Sequence, residues 1–117
     1  MISDFNWTDN VLVARLRVQR LDAAIAGDVK RVLIEQIATR DARLLLNCKD
    51  VAFVDSSGLG ALISVLKHAA ASSWGFGLCE VRPPVVQLLR LTRLDRVITV
   101  WATEAEGVAG GQPNRET

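Results

Sequence analysis

Asp55-Ser56-Ser57-Gly58-Leu59-Gly60 gathers two hydroxyls, a carboxylate and two glycines within six residues. The stretch lies between the apolar run Val51-Ala52-Phe53-Val54 and the helix-like run Ala61-Leu62-Ile63-Ser64-Val65-Leu66. It therefore reads as a strand end, a tight polar turn and a helix start. A serine hydroxyl in that place faces solvent near the unpaired N–H groups of a helix N-terminus, where a phosphate is electrostatically welcome.

Catalysis by this stretch fails on spacing. A nucleophilic serine needs a base within hydrogen-bonding reach, and the single histidine is His68. Eleven residues along a helix from Ser57, it is displaced by roughly 16 Å along the axis. Asp55 also occupies the position where a Gly-x-Ser-x-Gly elbow needs its first glycine. Gly58-Leu59-Gly60 is no dinucleotide cradle, because Ile63 stands where the third glycine belongs, and no Gly-Lys-Ser/Thr follows. Cys48, Cys79 and His68 are not spaced like a zinc site. The reading is therefore of a non-enzyme, with no catalytic residue, metal or cofactor. In plain structural terms Asp55 or Ser56 caps the helix, and the glycines permit a tight turn and close packing. Capping takes one residue and leaves a hydroxyl over. Local physics does not decide between Ser56 and Ser57.

The elements that must position this stretch follow from periodicity. Val11–Val18 sets Leu12, Ala14, Leu16 and Val18 on one side and Arg15 and Arg17 on the other, which predicts a half-buried strand, with Phe5 to Trp7 able to pair as a short edge. Asp22 introduces an amphipathic helix carrying Ile25, Val29, Val32, Leu33 and Ile37, in which Gly27 delays the first turn. Leu44-Leu45-Leu46-Asn47-Cys48 has the unbroken apolar character of a central parallel strand. Val51–Val54 predicts the strand that delivers Asp55. Leu59, Leu62, Ile63, Leu66 and Ala70 form the apolar stripe of the next helix, which ends near Ser72–Gly75. Phe76–Val81 is a strand. Pro83-Pro84 opens a short helix with Val85, Leu88, Leu89 and Leu91 or Thr92 inward. Val97–Trp101 is a last strand, Thr103 to Glu106 begins a terminal helix, and residues 110–117 read as a disordered tail after a domain over 1–109. The sum is an α/β fold, a four- to five-stranded mixed sheet with helices mainly on one face. In such sheets functional loops gather at the strand carboxyl ends, and Asp55 to Gly60 occupies one.

At 117 residues, half of them hydrophobic, the chain can bury one core without metal or disulfide staples. Fourteen basic against 13 acidic residues give a formal charge of +1, which supplies no field for drawing in nucleic acid or anionic lipid. Cys48 and Cys79 sit in apolar runs and read as buried free thiols, pointing to a reducing compartment. The N-terminus lacks a secretory pattern and no apolar run approaches a membrane span, so the expected location is the cytoplasm.

Val51–Leu62, with Asp55-Ser56-Ser57-Gly58-Leu59-Gly60 at its centre, resembles the signature of the STAS domain, the sulfate transporter and anti-sigma factor antagonist family. Leu21-Asp22 is similar to the family's step before its first helix, and Cys79 to Asp95 to its last strand, helix and turn. The likeness runs from about Val11 to Trp101 and is greatest to the bacterial anti-sigma factor antagonists. Three positions depart from the pattern: Gln19 and Arg93 replace glycines, and Asn47 stands where aspartate is common. The resemblance implies that Ser57 is phosphorylated by a partner anti-sigma factor, a serine kinase that brings its own ATP and magnesium. It also implies that the unmodified chain binds this partner through Asp55, Ser56, Gly58, Leu59 and Gly60. Asp22 is a second candidate contact, with a plain helix cap as its alternative. A phosphoserine phosphatase would reset the switch. A phosphoserine carries about −1.5 to −2 charges. With a carboxylate about 5 Å away and an effective dielectric near 20, the repulsion is roughly 5–7 kcal/mol before screening. The rival expectation is a permanent STAS scaffold subunit, in a stress-signalling or lipid-transport complex, whose Ser57 is never modified.

Overall fold

A computed structural model describes residues 2–37 and 41–111. In chain order the elements are β1 (Ser3–Thr8), β2 (Val11–Leu16), β3 (Arg20–Leu21), α1 (Ala26–Gln36), β4 (Arg43–Asn47), β5 (Phe53–Val54), α2 (Ser56–Ala71), β6 (Gly75–Cys79), α3 (Pro83–Leu91), β7 (Thr99–Trp101) and α4 (Glu104–Ala109). A 3-10 turn, Leu94–Arg96, joins α3 to β7. The main sheet has the order β1-β2-β4-β6-β7, antiparallel at the β1 edge and parallel elsewhere. The apolar run of β4 lies at its centre, as its composition requires.

Most helical packing falls on one face, where Leu12, Ala14, Leu16, Leu44, Leu46 and Leu78 meet Val29 and Leu33 of α1, Leu62 and Val65 of α2, and Val85 and Leu89 of α3. Each fully buried leucine there contributes about 1.5–3 kcal/mol. The other face is not left to solvent. Val11, Val13, Leu45, Cys79 and Trp101 form a second, smaller core against Val108 of α4. This corrects the reading of the first long strand as half-buried: over Val11–Ala14 it is buried on both sides. Alternation with arginine appears only at its far end, where Arg15 reaches α4.

Two further departures bear on Asp55–Gly60. The strand expected over Val51–Val54 shrinks to Phe53–Val54, and it pairs with β3 in a separate two-stranded parallel ladder rather than with the main sheet. In α2 the buried positions are Gly58, Ala61, Leu62, Val65 and Ala69, whereas Ala70 is exposed and Ile63 half-buried. The stripe is thus displaced by one residue, a rotation of about 100°. Gly58 sets this phase, because its missing side chain lets the helix start pack inward. In α3 both prolines fall in the first turn as expected, but Leu91 is 75% exposed. Gly110 and Gly111, assigned above to the tail, belong to the fold: Gly110 ends α4 at φ +71°, and the Gly111 carbonyl accepts the Trp101 indole N–H at 2.9 Å. Residues 112–117 lie outside the described residues.

Arg93 adopts a left-handed conformation, φ 62°, in the turn after α3. That geometry is nearly free for glycine and costs other residues about 1 kcal/mol. Arg93→Gly is therefore expected to raise the unfolding free energy by about 0.5–1 kcal/mol, read as a higher urea midpoint at unchanged slope.

Cys48 and Cys79 are adjacent, the Cys48 N–H donating to the Cys79 carbonyl at 3.0 Å. Their side chains nevertheless join different cores, Cys48 on the helix face and Cys79 beneath α4. Both are free. Burial, helped at Cys79 by neighbouring Glu80 and at Cys48 by Cys79, pushes each thiol up to about 12. They are inert at neutral pH.

Candidate functional site

The β3–β5 ladder builds the site. Arg20 pairs with Phe53 and Leu21 with Val54, so the next residue of each strand, Asp22 and Asp55, leaves the ladder beside its counterpart. Asp55 has the extended backbone of an N-cap, and its N–H donates to the Leu21 carbonyl at 3.2 Å. One carboxylate oxygen accepts from the Gly58 N–H at 2.9 Å, capping α2. The other accepts from the Ala23 N–H at 3.2 Å, tying the loop before α1 to the start of α2. Asp55 is thus the joint between the two loops. Asp22 does not occupy the N-cap position of α1, which is Ile25. Its Oδ1 accepts from the Ala24 N–H at 3.1 Å, and its carbonyl accepts from Ile25 and Ala26, so it closes the turn that leads into the helix.

With Asp55 doing the capping, Ser56 and Ser57 become the first two residues of α2, both exposed. Gly58 is buried: a Cβ there would lie 2.2 Å from the Leu21 carbonyl oxygen and 2.9 Å from both Leu21 Cγ and Val54 Cγ1. It shapes the surface from beneath and presents no face to a partner. Leu59 is half-buried at the edge of the core. Gly60 is exposed, with nothing within 4 Å of the place a Cβ would take. Close packing therefore explains Gly58 and not Gly60. Ser56, Ser57 and Gly60 are exposed, flanked by the half-buried Asp22, Asp55 and Leu59.

A neighbouring pair escaped the sequence reading. Phe53, taken as part of an apolar strand, is 40% exposed, and the Arg20 guanidinium lies 4.2 Å from its ring centroid. The two face each other because they are the paired residues of β3 and β5. No local periodicity marks a ladder two residues long.

The family model of the STAS domain matches residues 4–107. The chain belongs to the STAS domain family. An anti-sigma F factor antagonist of Paenibacillus polymyxa is 29% identical to this STAS domain over 99 residues, covering 84% of each chain. Among solved structures, a STAS domain protein of Planctomyces limnophilus superposes with a TM-score of 0.83 at 22% identity, over 92% of this chain and 95% of that one. The Bacillus cell fate determinant SpoIIAA in its phosphorylated form gives 0.68 at 20% identity, over 92% and 97%.

On the opposite face of this STAS domain, α4 is held by a polar cluster. Arg15 grips Glu104 with two hydrogen bonds, at 2.9 and 2.6 Å, and Asn47 Nδ2 donates to the same carboxylate at 2.9 Å. Glu80, in a left-handed conformation at φ 54°, accepts from the Glu104 N–H at 3.0 Å. Arg43 donates to the carbonyls of Gly107 and Val108. The departure at position 47 is thereby explained: an aspartate there would set a second carboxylate against Glu104. The Arg15 guanidinium, against partial burial and with help from Asn47, holds the Glu104 carboxyl below the usual carboxylate range. A carboxyl depressed in the folded state adds stability at neutral pH, and that part is lost as the pH falls through its folded pKa. In Glu104→Gln this share of the acid sensitivity should vanish, which urea midpoints of both proteins measured from pH 7 down through the carboxylate range will check. Parallel curves would rule out the linkage.

Proposed function

We propose that this STAS domain is an anti-sigma factor antagonist acting by partner switching in the cytoplasm. Unmodified, it binds an anti-sigma factor through the surface where α2 begins and so frees a sigma factor. Phosphorylation of Ser57 by that partner, a serine kinase, ends the complex, and a phosphoserine phosphatase restores it. The chain is substrate and ligand, not enzyme.

The observation that carries this reading is the division of labour between Asp55 and Ser57. Asp55 caps the helix, so Ser57 stands exposed in the first turn of a 16-residue helix, its hydroxyl making no hydrogen bond among the described residues. A phosphate there lies at the positive end of the helix dipole, so the fold tolerates it. Its consequence falls on whatever docks against Ser56, Ser57 and Gly60. The names of the relatives support the same reading.

The test is phosphorylation by the cognate anti-sigma factor kinase with ATP. Wild type should gain one phosphate, placed at Ser57 by peptide mass spectrometry, and Ser57→Ala should gain none. A phosphate on the alanine variant would move the acceptor elsewhere. A wild-type chain that forms a stable complex with the kinase and is never modified would favour the permanent scaffold.

A further inference from the structure

α3 carries apolar residues on two sides. Val85 and Leu89 are buried in the core. On the opposite side Pro83, Val86, Gln87, Arg90 and Leu91 line, together with Val81, an open groove of about 660 Å³. Their offsets of three, four, seven and eight residues are those of a helix-packing seam, here turned to solvent. Leu91 at 75% and Val97 at 59% exposure are the two most exposed large hydrophobic side chains among the described residues.

The same segment is basic. From Val81 to Trp101 it holds Arg82, Arg90, Arg93 and Arg96 against Asp95 alone, in a chain whose formal charge is only +1. Arg15, Arg17, Arg20 and Arg31 all pair with carboxylates. Among the described residues, none of the four arginines of this segment makes an ion pair.

We propose that the groove along α3 receives an acidic amphipathic helix of a protein partner. Apolar side chains at helical spacing would fill the groove between Val86 and Leu91, with carboxylates meeting Arg90 and the arginines of the following turn. Charge counts against the simplest rival, a second copy docked groove to groove, because that brings two basic segments together. A lipid surface is the other rival, and the vesicle measurement below separates it from a helical partner. The groove lies on a different helix from Ser57, and the proposal does not depend on the function proposed above.

The probes are two synthetic peptides of about 18 residues, long enough for helical structure. Both repeat leucine at alternating three- and four-residue spacing, one with glutamate and one with lysine at the flanking positions. In a backbone-amide NMR titration of the full chain, the glutamate peptide should shift Val81, Val86, Gln87, Arg90 and Leu91, and the lysine peptide should bind at least about tenfold more weakly. Leu91→Asp and Arg90→Glu alter exposed positions, so both should fold, and each should weaken the glutamate peptide by about tenfold or more. Equal affinity for the two peptides, shifts confined to other surfaces, or no shift at all would overturn the proposal. So would binding to phosphatidylglycerol vesicles in place of the peptide, or self-association in the ultracentrifuge that Leu91→Asp abolishes. None of these results bears on the phosphorylation of Ser57.

Discussion

Gly58→Ala should lower the unfolding free energy by about 2–3 kcal/mol. The nearest obstacle to the new methyl group is the Leu21 carbonyl oxygen, backbone that has no rotamer to change. Relief requires the first turn of α2 to move off β3, which loosens the Asp55 bonds to Gly58 and Ala23. Overpacking of this kind costs about 1–3 kcal/mol or more, and loss of a cap typically adds about 1. The better helix propensity of alanine offsets about 1 kcal/mol of the total. For a domain of this size the melting temperature should fall by roughly 8–12 °C. Gly60→Ala in the same helix is the internal control: with open space around it, the substitution should stabilise by up to about 1 kcal/mol. Calorimetry of both variants decides the matter, and an unchanged melting temperature for Gly58→Ala would refute the close-approach argument.

Ser57→Asp should weaken binding to the anti-sigma factor by more than tenfold, while Ser57→Ala stays within about threefold of wild type. The asymmetry follows from the pinning of Asp55. Both its carboxylate oxygens accept backbone N–H groups, so it cannot swing away from a second negative charge placed nearby. The docking surface would then carry concentrated negative charge, whereas alanine only removes a hydroxyl. Because aspartate is favourable near a helix N-terminus, Ser57→Asp should not melt earlier than wild type, which separates lost binding from lost fold. Titration calorimetry against the partner provides the affinities. Equal affinities for the two variants would count against the charge mechanism.

The order of strands and helices was legible because their signals are local. Leu44–Leu46 announces a strand covered on both faces, Pro83-Pro84 a helix start, and the two serines beside Asp55 a polar strand–helix junction. Three features were hidden because they depend on tertiary neighbours. Val11 and Val13 are apolar on what alternation marks as the solvated side, and only the return of α4 over that face makes sense of them. The β3–β5 ladder is too short to produce a period. The second bond of Asp55 reaches Ala23, 32 residues earlier in the chain, so no window around the motif could reveal it. At the site itself the exposed serines and the cap were readable. The split between a buried Gly58 and an open Gly60, and the stacked Arg20 and Phe53, required the fold.

The placement of the two cysteines on opposite sides of one sheet also equips the molecule with a pair of independent reporters. Cys79 becomes reachable when α4 lifts, and Cys48 when the layer of α1, α2 and α3 opens. Pulsed thiol labelling resolved by mass spectrometry would therefore time the opening of each layer separately in the unmodified protein, with no engineered probe.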